Sequence, residues 1–161
     1  MTGVVTLAGE TFRNVSQNPI NWAANEGWYI DLPTSGERVV VDPILRDGRV
    51  VVPSLVPNTN PCSAGGSSWL FELDFQSGGQ LTVAPFDTDG DGDVDAFDTI
   101  TSAMQLDGIS SGPAVLNGFG PTTSPLENKY LNQSTGVVRR VLESATARGN
   151  RRMSWRQEAI N

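Results

Sequence analysis

The chain has 161 residues, a formal net charge of −7 and no histidine. This length suits one domain with a buried core, so we expect residues 1–161 to form a single β-rich domain or domain fragment. The acidic balance argues against nucleic acid as a partner. The lack of histidine removes the commonest general base and most zinc chemistry. No apolar run is long enough for a membrane span.

Short apolar runs bounded by Gly, Pro, Asn and Asp dominate the first half of the chain, which favours a mainly β fold. Strands are predicted at residues 4–8, 27–32, 38–41 and 49–53, whereas residues 10–26 are interpreted as irregular. The pair Asp47-Gly48 is typical of a two-residue hairpin turn and leads into the strand at 49–53.

The segment 67–75 alternates between two kinds of side chain and predicts another strand. Trp69, Phe71 and Phe75 are expected on one face of this strand, and Glu72 on the other. The aromatic face is the one expected to point into a core, because large aromatic side chains are usually buried.

The second half of the chain carries weaker signals. Strands are predicted at residues 81–84, 114–116, 129–131, 137–142 and 153–156, the third and fourth forming a hairpin around a turn at 134–136. A short helix is predicted at 96–104, although the β-branched Thr99, Ile100 and Thr101 disfavour it. No internal repeat is evident, so the short strands leave a propeller, a barrel and a sandwich open.

The acidic residues between positions 87 and 98 predict a calcium site. In an EF-hand-type loop the ligands occupy positions 1, 3, 5, 7, 9 and 12, and a Gly turns the chain at position 6. With Gly92 at position 6, the ligand positions hold Asp87, Asp89, Asp91, Asp93 (through its backbone carbonyl), Asp95 and Asp98. Carboxylates this close repel one another without a cation, and Ca²⁺ is the usual hard cation with oxygen ligands.

Two features separate this loop from a complete two-helix EF-hand. Position 12 is normally a bidentate Glu, and Asp98 is one methylene shorter. Pro85 disfavours a helix running into Asp87, so the loop is interpreted as following a strand and acting as a structural clamp or local switch. The alternatives are a solvated acidic turn without metal and a Mg²⁺ site, which is less favoured because Mg²⁺ takes few protein ligands.

Three other motifs accompany the acidic loop: GWYIDLP with GERV in residues 27–39, PCSAGGSSWL in residues 61–70, and SWR at residues 154–156. In this order, with the acidic loop between the second and third, they resemble the C-terminal β-propeller of the PilY-type type IV pilus assembly and tip-adhesin family. The resemblance implies an all-β fold, namely the C-terminal part of a modified β-propeller with an inserted EF-hand-like calcium loop.

The resemblance also implies a function. The protein would be secreted and located at the pilus tip or bacterial cell surface, and calcium occupancy would regulate pilus extension against retraction, and adhesion. Its partners would be minor pilins or other pilus tip components and a host or surface ligand. The family pattern implies as ligands Asp87, Asp89, Asp91, the Asp93 carbonyl and Asp95, whereas Asp98 lies outside its nine residues.

Two other functions are compatible with a calcium loop, a calcium-stabilised domain of a secreted enzyme and a dockerin-like cell-surface interaction module. A nucleophile–base pair is not evident in the sequence, so a non-enzymatic role is expected. Dockerin-like modules duplicate the loop, and one copy is present here. Trp28, Trp69 and Trp155 are interpreted as core rather than as a ligand-stacking surface, and the lone Cys62 has no cysteine partner in the chain.

Overall fold

The computed structural model describes residues 2–60, 65–117 and 125–145. Within these ranges the chain forms nine strands and no helix, so no described helix has the length and hydropathy of a membrane span. The strands are β1 (Thr2–Leu7), β2 (Glu10–Asn14), β3 (Ile44–Arg46), β4 (Arg49–Pro57), β5 (Gly66–Asp74), β6 (Ala103–Asp107), β7 (Ala114–Asn117), β8 (Leu126–Asn132) and β9 (Val138–Ser144). Cys62, Trp155 and the strand predicted at 153–156 lie outside the described residues.

The strands form two antiparallel sheets. The large sheet has six strands in the order β1-β2-β6-β5-β4-β3, and the small sheet has three in the order β7-β8-β9. Most neighbours are also consecutive in sequence, but β2 pairs with β6 through Phe12 opposite Met104 and Arg13 opposite Ala103. The expected all-β class is therefore confirmed for the described residues.

Both predicted hairpins are present. Asp47 and Gly48 connect β3 to β4 with φ angles of 50° and 76°, and two consecutive left-handed residues are what a type I′ turn requires. Asp and Gly tolerate that conformation best, so this turn follows from the local sequence. The second hairpin pairs β8 with β9 from Leu126 opposite Ser144 to Asn132 opposite Val138.

The strand predicted at 27–32 is wrong. This segment has no strand assignment, although Trp28, Ile30 and Leu32 pack on the core of the large sheet. The alternating sequence pattern therefore reflects burial of every second side chain. The segment covers the sheet without forming a strand of it. The strand predicted at 38–41 reduces to one bridge, between Arg38 and Leu55.

Two predictions on either side of the acidic loop are also wrong. Residues 81–84 form no strand, and the helix predicted at 96–104 is a turn followed by extended chain entering β6. The backbone of Ser102 is already bonded on both sides, to Arg13 and Glu72, which leaves no room for helical hydrogen bonds there. Strand β2, in a region interpreted as irregular, was missed because most of its side chains are polar.

The centre of the large sheet, strands β4 and β5, is buried on both faces. One face packs on the small sheet through a core that includes Phe12, Leu70 and Leu131. The opposite face carries Trp69 and Phe71, which lie under the covering segment of residues 28–32. Trp69 is thus a core residue as predicted.

Two aromatic residues at the edge of that second core differ in burial. The Trp28 indole is partly buried, and its Nε1 donates to the carbonyl of Phe75 at 3.1 Å. Phe75 itself follows the end of β5 and is 43% exposed, so its predicted place on the buried face is wrong. The strand ends one residue before Phe75, and the alternation of its side chains ends with it.

A buried ionic cluster lies between the two sheets. Lys129 on β8 is fully buried, and its Nζ is 3.0 Å from Glu72 Oε1 and 2.9 Å from Glu127 Oε1. The same amine donates to Glu143 Oε2. Two arginines of the large sheet complete the cluster, Arg46 with Nε 2.5 Å from Glu127 Oε2 and Arg49 with a guanidinium nitrogen 3.6 Å from Glu72 Oε2.

The protonation equilibria of the cluster follow from burial and charge. Burial alone would lower the pKa of Lys129, but the negative charges of Glu72, Glu143 and Glu127 outweigh it and raise that pKa. For Glu143, complete burial and the neighbouring charge of Glu72 raise the pKa well above the ordinary value, against the opposing effect of Lys129. A proton on Glu143 would let this carboxyl donate to Glu72.

We expect Lys129→Met to destabilise the fold by about 3–5 kcal/mol, because it leaves buried carboxylates without their shared cation. Urea unfolding at neutral pH measures this, with Arg140→Met on the exposed side of β9 as the matched control. The control should change the free energy of unfolding by less than about 0.5 kcal/mol. Equal effects of the two substitutions would contradict the structural role of Lys129.

We expect Glu143→Gln to stabilise the protein increasingly as the pH rises above 4.5, the ordinary pKa of a glutamate. A carboxyl whose pKa is raised by folding contributes stability below its unfolded pKa and loses it as the pH rises through the folded pKa. Glutamine cannot ionise, so it avoids that loss. Melting temperatures measured across pH test this, with the exposed Glu26→Gln as control, and a difference from wild type that does not vary with pH would refute it.

Candidate metal centre

The acidic loop, residues 87–98, lies between β5 and β6 and begins at the small sheet. Phe86 forms a bridge with Glu143 of β9, and the amide of Ser144 donates to the carbonyl of Pro85 at 3.0 Å. The Ser144 hydroxyl donates to the Ala84 carbonyl at 3.0 Å as well. Phe86 is buried beside Phe12, with ring centroids 6.1 Å apart, so the start of the loop is fixed in the core.

The loop ends at the large sheet. The amide of Ser102 donates to the Arg13 carbonyl at 3.0 Å, and the Glu72 amide donates to the Ser102 carbonyl at 2.9 Å. The side chain of Gln80 donates from Nε2 to the Ile100 carbonyl at 2.7 Å. The loop therefore connects the two sheets, with one end fixed to each.

Three of the predicted ligands come together. Carboxylate oxygens of Asp87, Asp89 and Asp91 lie within 4.8 Å of one another. The two loop glycines have left-handed backbones, with φ of 81° at Gly90 and 89° at Gly92. That conformation is inexpensive only for glycine, so these two residues allow alternate side chains to converge.

Hydrogen bonds within the loop hold these carboxylates. Asp87 accepts from the amide of Gly90 at 2.7 Å through Oδ1 and from the amide of Gly92 at 3.0 Å through Oδ2. Asp89 accepts from the Asp91 amide at 3.2 Å, and Asp91 accepts from the Asp93 amide at 2.8 Å. Each aspartate thus bends the backbone that follows it, which closes the loop around the three carboxylates.

The group of three holds no carboxylate of Asp93, Asp95 or Asp98, and the predicted donor of Asp93 is its backbone carbonyl. Asp93 accepts from the Val94 amide and Asp95 from the Phe97 amide, both at 2.7 Å. Asp98 is buried, with Oδ1 accepting from the amide and hydroxyl of Thr88 and Oδ2 from the Asp95 amide. Their coordination remains a prediction.

Sequence reasoning missed Thr88. It occupies a position of the loop template that carries no ligand, so the spacing gives no signal for it. The structure shows it 3% exposed, between two predicted ligands. Its buried hydroxyl forms hydrogen bonds inside the loop. A non-ligand position of the template is expected to be exposed and would need no such group.

The electrostatics of the loop favour a cation. A hydrogen bond from the Asp91 amide lowers the pKa of Asp89, but desolvation and the negative charges of Asp91, Asp98 and Asp87 together raise it. Three converging, ionisable carboxylates with no nitrogen or sulfur donors among them suit a hard cation such as Ca²⁺. The donor set therefore fits the predicted ion.

The curated relatives that the chain matches are type IV pilus biogenesis factors. No model of a known protein family matches the chain. Type IV pilus biogenesis factor PilY1 from Pseudomonas aeruginosa strains PAO1 and PAK is 35% identical over 157 residues, covering 91% of this chain and 13% of the relative. A PilY1 homolog from Xylella fastidiosa is 40% identical over 73 residues, covering 42% of this chain and 5% of the relative.

The fold is also similar to a solved structure. The crystal structure of the Pseudomonas aeruginosa PilY1 C-terminal domain matches with a TM-score of 0.63 and 23% sequence identity, over 89% of this chain and 30% of that one. The chain thus spans a small part of the length of each relative. At this identity the structural match supports the fold alone.

Proposed function

Because the chain belongs to the PilY-type family and corresponds to part of its C-terminal region, we propose that it is the calcium-binding module of a type IV pilus biogenesis and tip-adhesin protein. The observation that carries this proposal is the convergence of Asp87, Asp89 and Asp91 in a loop whose spacing follows the calcium template. The family relationship supports the pilus-related role, and the donor set supports the ion.

The proposed ligands are the three converging carboxylates together with the Asp93 carbonyl, Asp95 and Asp98. Bound Ca²⁺ supplies positive charge that neutralises the mutual repulsion of the aspartates. Asp89 and Asp91 are exposed, so an ion can enter directly from solvent. Asp98 would coordinate through Oδ2, which accepts one hydrogen bond, from the Asp95 amide, and keeps a second lone pair, whereas Oδ1 already accepts two from Thr88.

The connection between the sheets suggests how calcium acts. The ends of the loop are held by Glu143 and Ser144 on one sheet and by Arg13 and Glu72 on the other. Ordering the loop around an ion would therefore stiffen the junction of the two sheets, as a clamp or local switch. We propose that this change regulates pilus extension against retraction, and adhesion.

The proposal also includes a location and partners, both based on the family. We place the protein outside the cell, at the pilus tip or bacterial cell surface, with minor pilins or other tip components as assembly partners and a host or surface molecule as adhesion ligand. The two sheets would form the C-terminal part of a modified β-propeller. We propose a non-enzymatic role, and no observation favours the secreted-enzyme or dockerin-like alternative.

Calcium binding is tested by calorimetric titration of the protein after removal of divalent ions. We expect a single site with a Kd between about micromolar and millimolar, weaker binding of Mg²⁺, and a higher melting temperature in calcium. Asp87→Asn and Asp91→Asn should each weaken the affinity at least about tenfold, because each replaces a charged ligand oxygen by a neutral amide oxygen. Asp31→Asn, at an exposed site outside the loop, is the matched control.

Two outcomes would contradict the calcium site. Absence of both binding heat and thermal stabilisation at millimolar calcium removes it altogether. Equal affinities of Asp91→Asn and Asp31→Asn show that any bound ion lies elsewhere.

The pilus role is tested in a bacterium whose own PilY-type protein carries this chain. We expect Asp91→Asn to change surface piliation and twitching motility relative to Asp31→Asn at equal protein levels, since only the first alters calcium occupancy. Indistinguishable piliation and motility in the two strains would refute regulation by calcium while leaving the binding result intact.

A further inference from the structure

We infer that Thr88 is a positioning residue of the proposed calcium site, one whose hydroxyl fastens the start of the loop to its end. This inference rests on the proposed function, because it concerns the affinity of that site. Thr88 lies between the proposed ligands Asp87 and Asp89, and its side chain points into the protein, where it is 3% exposed.

The Thr88 hydroxyl makes two hydrogen bonds across the loop. Oγ1 donates to Asp98 Oδ1 at 3.1 Å and accepts from the amide of Thr99 at 2.7 Å. The backbone amide of Thr88 donates to the same Asp98 oxygen at 2.5 Å. The second residue of the loop is thereby joined to the last residue and to the residue that follows it.

Asp98 extends this contact toward the middle of the loop. Its other oxygen, Oδ2, accepts from the Asp95 amide at 2.8 Å. The Asp98 carboxylate is thus oriented by Thr88 on one side and by Asp95 on the other, in a site that is 8% exposed. Through Asp98, Thr88 also fixes the position of the proposed ligand Asp95.

The arrangement favours ion binding because it offsets part of the cost of closing the loop. Carboxylates that must converge repel one another, and an open loop loses conformational entropy when an ion orders it. A loop already closed by buried hydrogen bonds pays less of that cost when Ca²⁺ arrives. Groups that orient ligands without touching the metal typically change affinity by roughly 10–100-fold when removed.

The experiment compares Thr88→Val with Thr88→Ser by calorimetric calcium titration well below their melting temperatures. Valine keeps the shape and removes the hydroxyl, and serine keeps the hydroxyl and removes the methyl group. We expect Thr88→Val to weaken calcium binding roughly 10–100-fold and Thr88→Ser to stay within about threefold of wild type. Thr88→Ala, tested in parallel, should resemble Thr88→Val if the hydroxyl is the determinant.

A second measurement separates positioning from a merely structural role. Combining Thr88→Val with Asp98→Asn should weaken calcium binding by less than the product of the two single effects, since both substitutions break the same contact. If the Thr88→Val variant melts at a lower temperature without calcium but binds calcium with wild-type affinity, the inference is overturned. The proposed calcium site is then unaffected. Wild-type protein that binds no calcium overturns both.

Discussion

The structure depends on one buried amine that two sheets share. Lys129 lies on the small sheet and contacts Glu72 of the large sheet, and it also contacts Glu127 and Glu143 on its own sheet. A buried ion pair adds little net stability because desolvation offsets its Coulomb energy, yet it strongly disfavours arrangements that leave a charge unpaired. The cluster therefore disfavours any packing of the two sheets that would separate Lys129 from Glu72. The apolar core around Leu70 and Leu131 supplies the driving force for packing the sheets together.

The packing of the two sheets also determines the position of the acidic loop. Glu143 belongs to the ionic cluster through its side chain and bridges to Phe86 through its backbone. Glu72 likewise belongs to the cluster, and its amide bonds to Ser102 at the other end of the loop. The residues that join the sheets thus also hold both ends of the candidate metal centre, so a proposed calcium ligand such as Asp87 is placed by the core beneath it.

Features of the molecule that depend on near neighbours were predictable from the sequence. The Asp47-Gly48 turn and the β8–β9 hairpin follow from residues a few positions apart, and the convergence of Asp87, Asp89 and Asp91 follows from their spacing. The pairing of β2 with β6 was not predictable, because no local signal marks partners about 90 positions apart. The covering segment at Trp28 shows a further limit, since alternating burial does not reveal whether a backbone has a hydrogen-bonding neighbour.

The pairing of β2 with β6 has a consequence for how the chain assembles. Strands β3, β4 and β5 are neighbours in both sequence and space, so they can associate early, whereas the β1–β2 hairpin has no site in the sheet until β6 is in place. A polypeptide that emerges amino terminus first therefore leaves β5 as an open edge until residue 107 has emerged. Unpaired edges recruit other strands, so β5 is open to pairing with another chain during this interval.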